Sequence, residues 1–233
     1  MNRPVVIPNG TAVAAVRQLF VREDLERYFP LSRDVLQPVT TYAKIPYVGD
    51  VHNEQRALGI GNDEEFYVIM RKSQWSMALT ITDSGLVLLN VQPKPGLDAA
   101  SLEFPGGGIG DNPVNDEDEI ISRTEEQVLR ETGYGGGVAS YLGFSLVETG
   151  KYATPSAEEP HVAGVGRGFK AHCVLIQNAS LIADQKLAPT EKIQPILVTI
   201  ADLKELVRAN VLTETSSLAC FALALMNGHL DRK

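Results

Sequence analysis

Hydrophobic and polar positions alternate most clearly from about residue 66 onward. FYVIMRK and SMALTIT predict strands, Asp83-Ser84-Gly85 a turn, and LVLLNVQ the returning strand of a hairpin. PKPGLDA reads as a loop leading to SLEFPGGGIG, a short strand that runs into glycines. An acidic loop, DNPVNDEDE, precedes the predicted helix EIISRTEEQVLRET, which stops at Gly133. YLGFSLVET, GRGFKAHCVLI and QPILVTI predict further strands, and IADLKELVRAN and TETSSLACFALALMNG predict two closing helices, the last N-capped by Thr213 or Thr215.

The first part of the chain carries a weaker pattern. TAVAAVRQLFVREDLERYF predicts a helix with Val13, Val16, Leu19 and Phe20 at helical spacing. Pro30, Pro38 and Pro46 punctuate an extended stretch, and Gly59 and Gly61 mark a turn. Residues 1–65 therefore read as an N-terminal extension that packs on the main domain or on a second subunit, and residues 66–233 as that main domain. Strands with a helix between them and helices at the end predict an α/β (α+β) sandwich, a mixed β-sheet between helices.

Composition narrows the function classes. The formal charge of −8, from 29 acidic against 21 basic residues, makes nucleic acid and anionic membrane poor partners. A small phosphorylated ligand needs only local positive charge or a metal ion. Cys173 and Cys220 lie in apolar runs and read as buried free thiols. No apolar stretch reaches the roughly 18 residues of a membrane span, and no leader pattern opens the chain, so a cytoplasmic protein is expected.

The stretch from Glu103 to Tyr134 resembles the Nudix signature, a Gly-Gly loop followed by a helix carrying Arg-Glu, then Glu-Glu, then Gly. Pro105, Gly106 and Gly107 match the loop, and Leu129, Glu131, Thr132, Gly133 and Tyr134 match the helix end. The flanks are similar to the ADP-ribose pyrophosphatase branch: Val91-Gln92 with Lys94, Leu102-Glu103-Phe104-Pro105-Gly106, and the closing helix pair. The resemblance implies a Nudix sandwich and hydrolysis of a nucleoside diphosphate linked to another group, ADP-ribose being the resembling case. It further implies magnesium or manganese as cofactor. Substrate binding then falls to Lys94, Glu103, Gly106, Gly107 and Arg130.

The sequence departs from that signature where the metal would sit. Counted back from Gly133, the family's Arg-Glu falls on Glu126 and Gln127, and its Glu-Glu on Arg130 and Glu131. Positions 127, 130 and 131 share a helix face, which here offers an amide, a guanidinium and one carboxylate. Hard cations want several oxygen ligands, and an arginine repels them. Glu131 is the surviving ligand or base. Glu125 and Glu126, with the helix rotated, the acidic loop Asp116–Glu119, and Glu158 or Glu159, in a loop where that branch often places a further acid, are the candidates to join it at the metal or in catalysis. The acidic loop Asp116–Glu119 reads first as a solvated helix start. Glu126 and Arg130, four apart in the favoured order, predict a helical ion pair worth about half a kcal/mol if exposed. Arg123 and Arg130 are candidates for direct diphosphate contacts. The alternative to an enzyme is a nucleotide-binding or interaction protein with Arg130 in place of a metal ligand, or a structural subunit forming a homodimer through residues 1–65.

Overall fold

The computed structural model describes residues 4–20, 70–71, 74–94, 99–109, 114, 116–147, 152–153, 169–188 and 191–231. In chain order its elements are β1 (Val5–Val6), α1 (Ala12–Leu19), β2 (Met70–Arg71), β3 (Trp75–Thr82), β4 (Val87–Lys94), β5 (Ala99–Glu103) and β6 (Gly106–Gly108). They continue with α2 (Glu117–Thr132), β7 (Tyr134–Gly135), β8 (Val138–Val147), β9 (Tyr152–Ala153), β10 (Phe169–Leu181), β11 (Gln194–Val198), α3 (Ile200–Arg208) and α4 (Thr215–Met226).

Nine strands form one mixed sheet in the order β1-β11-β4-β3-β10-β7, with β5 on β4, β6 on β3 and β8 on β10. Alternation along each strand divides its side chains between two cores. Leu79, Leu89, Cys173, Leu175 and Ile196 pack with Leu203 and Leu206 of α3 and with Cys220, Phe221 and Ala224 of α4. Ala78, Leu88, Val174, Ile176 and Leu197 face the other way, onto Ile120 and Val128 of α2. The sheet is thus the middle layer of a sandwich, with α2 alone on one face among the described helices.

Several expectations change. The run Gly106–Gly108, expected as the loop of the signature, is a strand paired antiparallel with β3. Of FYVIMRK, Met70–Arg71 pairs with β9 in a separate two-stranded sheet, and the four residues before it lie outside the described residues. The N-terminal helix ends at Leu19, and the remainder of its predicted span, from residue 21, also lies outside them. Residues 4–20 pack on the main sheet: Val5 and Val6 pair parallel with Ile196 and Leu197, and Ile7, Ala12 and Val16 enter the α3/α4 core.

The last helix is capped by neither threonine but by Glu214, whose carboxylate accepts from Ser216 N at 3.0 Å, Ser217 N at 2.6 Å and Ser217 Oγ at 2.7 Å. A longer acid folding back supplies both the acceptor and the charge that a helix start favours. Ser217 Oγ in turn accepts from Phe104 N at 3.0 Å, so this cap also fixes the junction between β5 and β6. Glu214→Ala is expected to cost about 1–2 kcal/mol, read as a lowered urea midpoint with an unchanged slope. An unshifted midpoint would count against the cap.

Candidate functional site

The site begins with the face of β4 and β5 that carries polar groups. Register pairs Asn90 with Glu103 and Gln92 with Ser101, and the two-residue period puts Asn90, Gln92 and Lys94 on one side. Glu103 is buried, at 6% exposure. Its Oε1 meets Lys94 Nζ at 2.9 Å and also accepts from Ser101 Oγ, while its Oε2 accepts from Gln92 Nε2 at 2.5 Å. Lys94 and Glu103, both expected at the ligand, form an ion pair with each other.

The last turn of α2 closes over this face. Asp116 caps its start by accepting from Glu119 N at 2.9 Å, and Gly133 ends it with φ of 79°, a left-handed conformation that glycine adopts without a Cβ penalty. Glu131, at 5% exposure, points to the sheet. Its Oε2 accepts from Asn90 Nδ2 at 2.9 Å and Gly106 N at 3.2 Å, and its Oε1 meets Arg130 NH2 at 3.2 Å. Burial raises this carboxyl to about 7 against the opposing pull of the Gly106 N–H and the Arg130 charge; Glu191 and Glu103 add to the rise. Desolvation wins because three polar contacts replace fewer waters than the anion loses.

Arg130 is the centre of the network rather than half of a surface pair. Its Nε and NH2 donate to Gln127 Oε1 at 3.2 and 2.9 Å, and its NH1 binds Glu191 Oε2. The predicted bridge to Glu126 does not form: Glu126 is exposed, and Arg130 turns to Glu191 and Glu131. A carboxylate brought in by tertiary structure outcompetes the one supplied by helix spacing. Arg123 is likewise committed, bonding Ile109 O and, at 2.5 Å, Glu119 Oε1. It ties the glycine strand's end to α2. Asp116, Glu117, Asp118 and Glu119 are exposed at the helix start.

Gly106 and Gly107 lie where the sequence placed them, beside this turn of helix. Gly106 supplies its N–H to Glu131, and Gly107 faces Gln127, whose Nε2 donates to Gly108 O at 3.3 Å. Glu158 and Glu159 lie outside the described residues. Two participants were missed. Asn90, an amide enclosed by apolar residues in LVLLNV, carried a legible signal of a buried polar role; Glu191 carried none. His172, away from this cluster, accepts or donates at Nδ1 with Tyr141 OH at 2.8 Å, and burial, with the Lys170 charge, lowers it to about 4.

A magnesium or manganese ion tests the donor set directly. Of positions 127, 130 and 131, only Glu131 offers a carboxylate, and both its oxygens are already engaged. Among the described residues no group of three or more His, Cys, Asp or Glu is placed to hold a metal ion. These residues do not fit such a cation, which takes several oxygen ligands. What they do present is two cations, Lys94 and Arg130, each about one-third exposed and each already paired with carboxylates.

No protein-family model matches the chain. A search of curated proteins gave no match either. Among solved structures the chain is similar to an ADP compounds hydrolase, with a TM-score of 0.52 and 14% identity over 68% of this chain and 75% of that one. It is also similar to a NUDIX hydrolase from Nitrosomonas europaea, with a TM-score of 0.44 and 18% identity over 67% of this chain and 90% of that one. Among the described residues no helix is long and apolar enough to cross a membrane.

Proposed function

We propose that the chain, which shares the fold of an ADP compounds hydrolase, binds a nucleoside diphosphate linked to a second group, of the ADP-ribose kind, on the face between β4, β5, β6 and α2. In this reading Arg130 and Lys94 supply the positive charge that a metal ion would otherwise bring. The observation that carries it is the Arg130 guanidinium lying against Glu131 at 3.2 Å, at a helix position where the Nudix signature has a carboxylate. A guanidinium fixed on one edge by Gln127 and Glu131 is a ready partner for phosphate oxygens. The backbone at Gly106 and Gly107, carrying no side chain, lets a ligand approach closely.

Hydrolysis of the diphosphate is the second reading, favoured by one observation: Glu131, at about 7, can exchange a proton near neutrality. Helix positions 127, 130 and 131 give it a single carboxylate, so metal-assisted turnover would draw on Glu158 or Glu159.

Calorimetric titration with ADP-ribose in excess chelator separates the two, alongside an AMP-release assay with magnesium or manganese. The binding reading expects saturable, chelator-resistant binding that weakens about tenfold or more in Arg130→Ala, the scale of a lost charge-assisted hydrogen bond, and no AMP. Release of AMP that requires the metal and disappears in Glu131→Gln would establish the hydrolase instead. An absence of both binding and release would discard the two together.

A further inference from the structure

Every nitrogen of the Arg130 guanidinium is already engaged. Nε and NH2 face inward, to Gln127 on the same helix and to buried Glu131, whereas NH1 faces Glu191, whose side chain is 31% exposed. The NH1 group that an arriving anion would need is therefore already held by Glu191. That carboxylate belongs to a segment whose backbone is independently fastened to the end of α2. Lys186 N donates to Arg130 O at 2.8 Å, and Gln185 Nε2 donates to Glu131 O at 2.6 Å and Ile193 O at 3.0 Å. Among the described residues the Glu191 side chain is held by Arg130 and by the Ala188 N–H, at 2.8 Å. It can swing away while the segment stays in place.

Resting on the binding reading above, we propose that Glu191 sets ligand affinity by standing in for the ligand's anion. Its carboxylate occupies the outer edge of the Arg130 fork in the free protein, and a ligand phosphate takes that edge by displacing it. The exchange is feasible because a partly exposed ion pair contributes little, whereas a phosphate oxygen offers NH1 a charge-assisted acceptor on a more highly charged group. The guanidinium meanwhile stays aimed by Gln127 and Glu131, so the ligand meets a preorganised donor. Nothing in the sequence around Glu191 announces this role; the 61-residue separation from Arg130 is bridged by tertiary structure alone.

Glu191→Gln tests it, because the amide oxygen can still accept from Arg130 and Ala188 while the competing charge is gone. Titration with ADP-ribose in chelator is expected to give binding about threefold to fivefold tighter than wild type, the worth of a partly exposed pair. The gain should vanish when Arg130→Ala is added. A purely structural Glu191 would move affinity the other way, since its loss would loosen Arg130. Equal or weaker binding by Glu191→Gln, with wild type still binding ADP-ribose, overturns the proposal and leaves the binding reading standing. Binding by neither protein overturns both.

Discussion

Gly106→Ala is expected to abolish a stable fold, with little soluble protein and no cooperative urea transition at neutral pH. A Cβ built there would stand 2.2 Å from Ser76 O, 2.6 Å from Met77 Cα and 2.9 Å from Met77 Cβ. All three belong to the central strand β3, so no rotamer change relieves the clash. The strand β6 must leave its partner instead. That separation breaks the pairing of Met77 with Gly106 and Ser76 with Gly107, the Ala78 N–H to Pro105 O at 2.9 Å, and the Gly106 N–H on Glu131. The loss is expected to be about 4–5 kcal/mol, at the top of the range for single substitutions and comparable to the whole stability of many domains. Gly107→Ala is the control. Its Cβ would meet the end of the Gln127 side chain, Oε1 at 3.2 Å, which can move aside, so a cost of about 1 kcal/mol is expected. Two variants of equal stability would show that the close approach at Gly106 is not what fixes this loop.

The same two glycines show what a sequence discloses and what it withholds. Their place in a loop-helix signature was legible, as were the strands around Leu79, Leu89 and Leu175, because period-two alternation is a local property. The end of α2 was legible too, since only glycine sits comfortably at the φ of 79° found at Gly133. Whether glycines form a flexible turn or a strand pressed against a neighbour depends on that neighbour, and the string of letters does not name it. Arg130 makes the point more sharply. Helix spacing offered it Glu126, yet the partner is Glu191, delivered by the chain after β10. The same holds for Val5 and Val6, which find β11 at the far end of the chain. Pairings of this kind are decided by the packed sheet. Asn90 was the intermediate case: its polarity inside an apolar strand was visible, but its target, Glu131, was not.

Glu131 should make the wild-type protein lose stability as pH rises, by about 3 kcal/mol from this group alone. The sign follows from proton counts. The folded state holds the Glu131 proton up to about pH 7, whereas the unfolded chain releases it near the ordinary value of 4.5. Between those values the folded state binds more protons, so raising the pH favours unfolding, and the penalty is fully present above about 7. Asn90 can serve both forms, donating from Nδ2 to the carboxylate or, turned over, accepting at Oδ1 from the protonated acid. Glu131→Gln removes the titration while keeping an oxygen for the Gly106 N–H. Urea unfolding of both proteins from pH 4.5 to 8 is the measurement. The difference between the two curves should grow by about 3 kcal/mol in favour of the variant toward high pH, contributions from other groups largely cancelling. Parallel curves would mean that the contacts from Asn90, Gly106 and Arg130 outweigh burial and that Glu131 is an ordinary anion. A growing gap would mean that the protein keeps an acid at a cost to its own stability, which is the pattern of a residue retained for what it touches rather than for what it holds together.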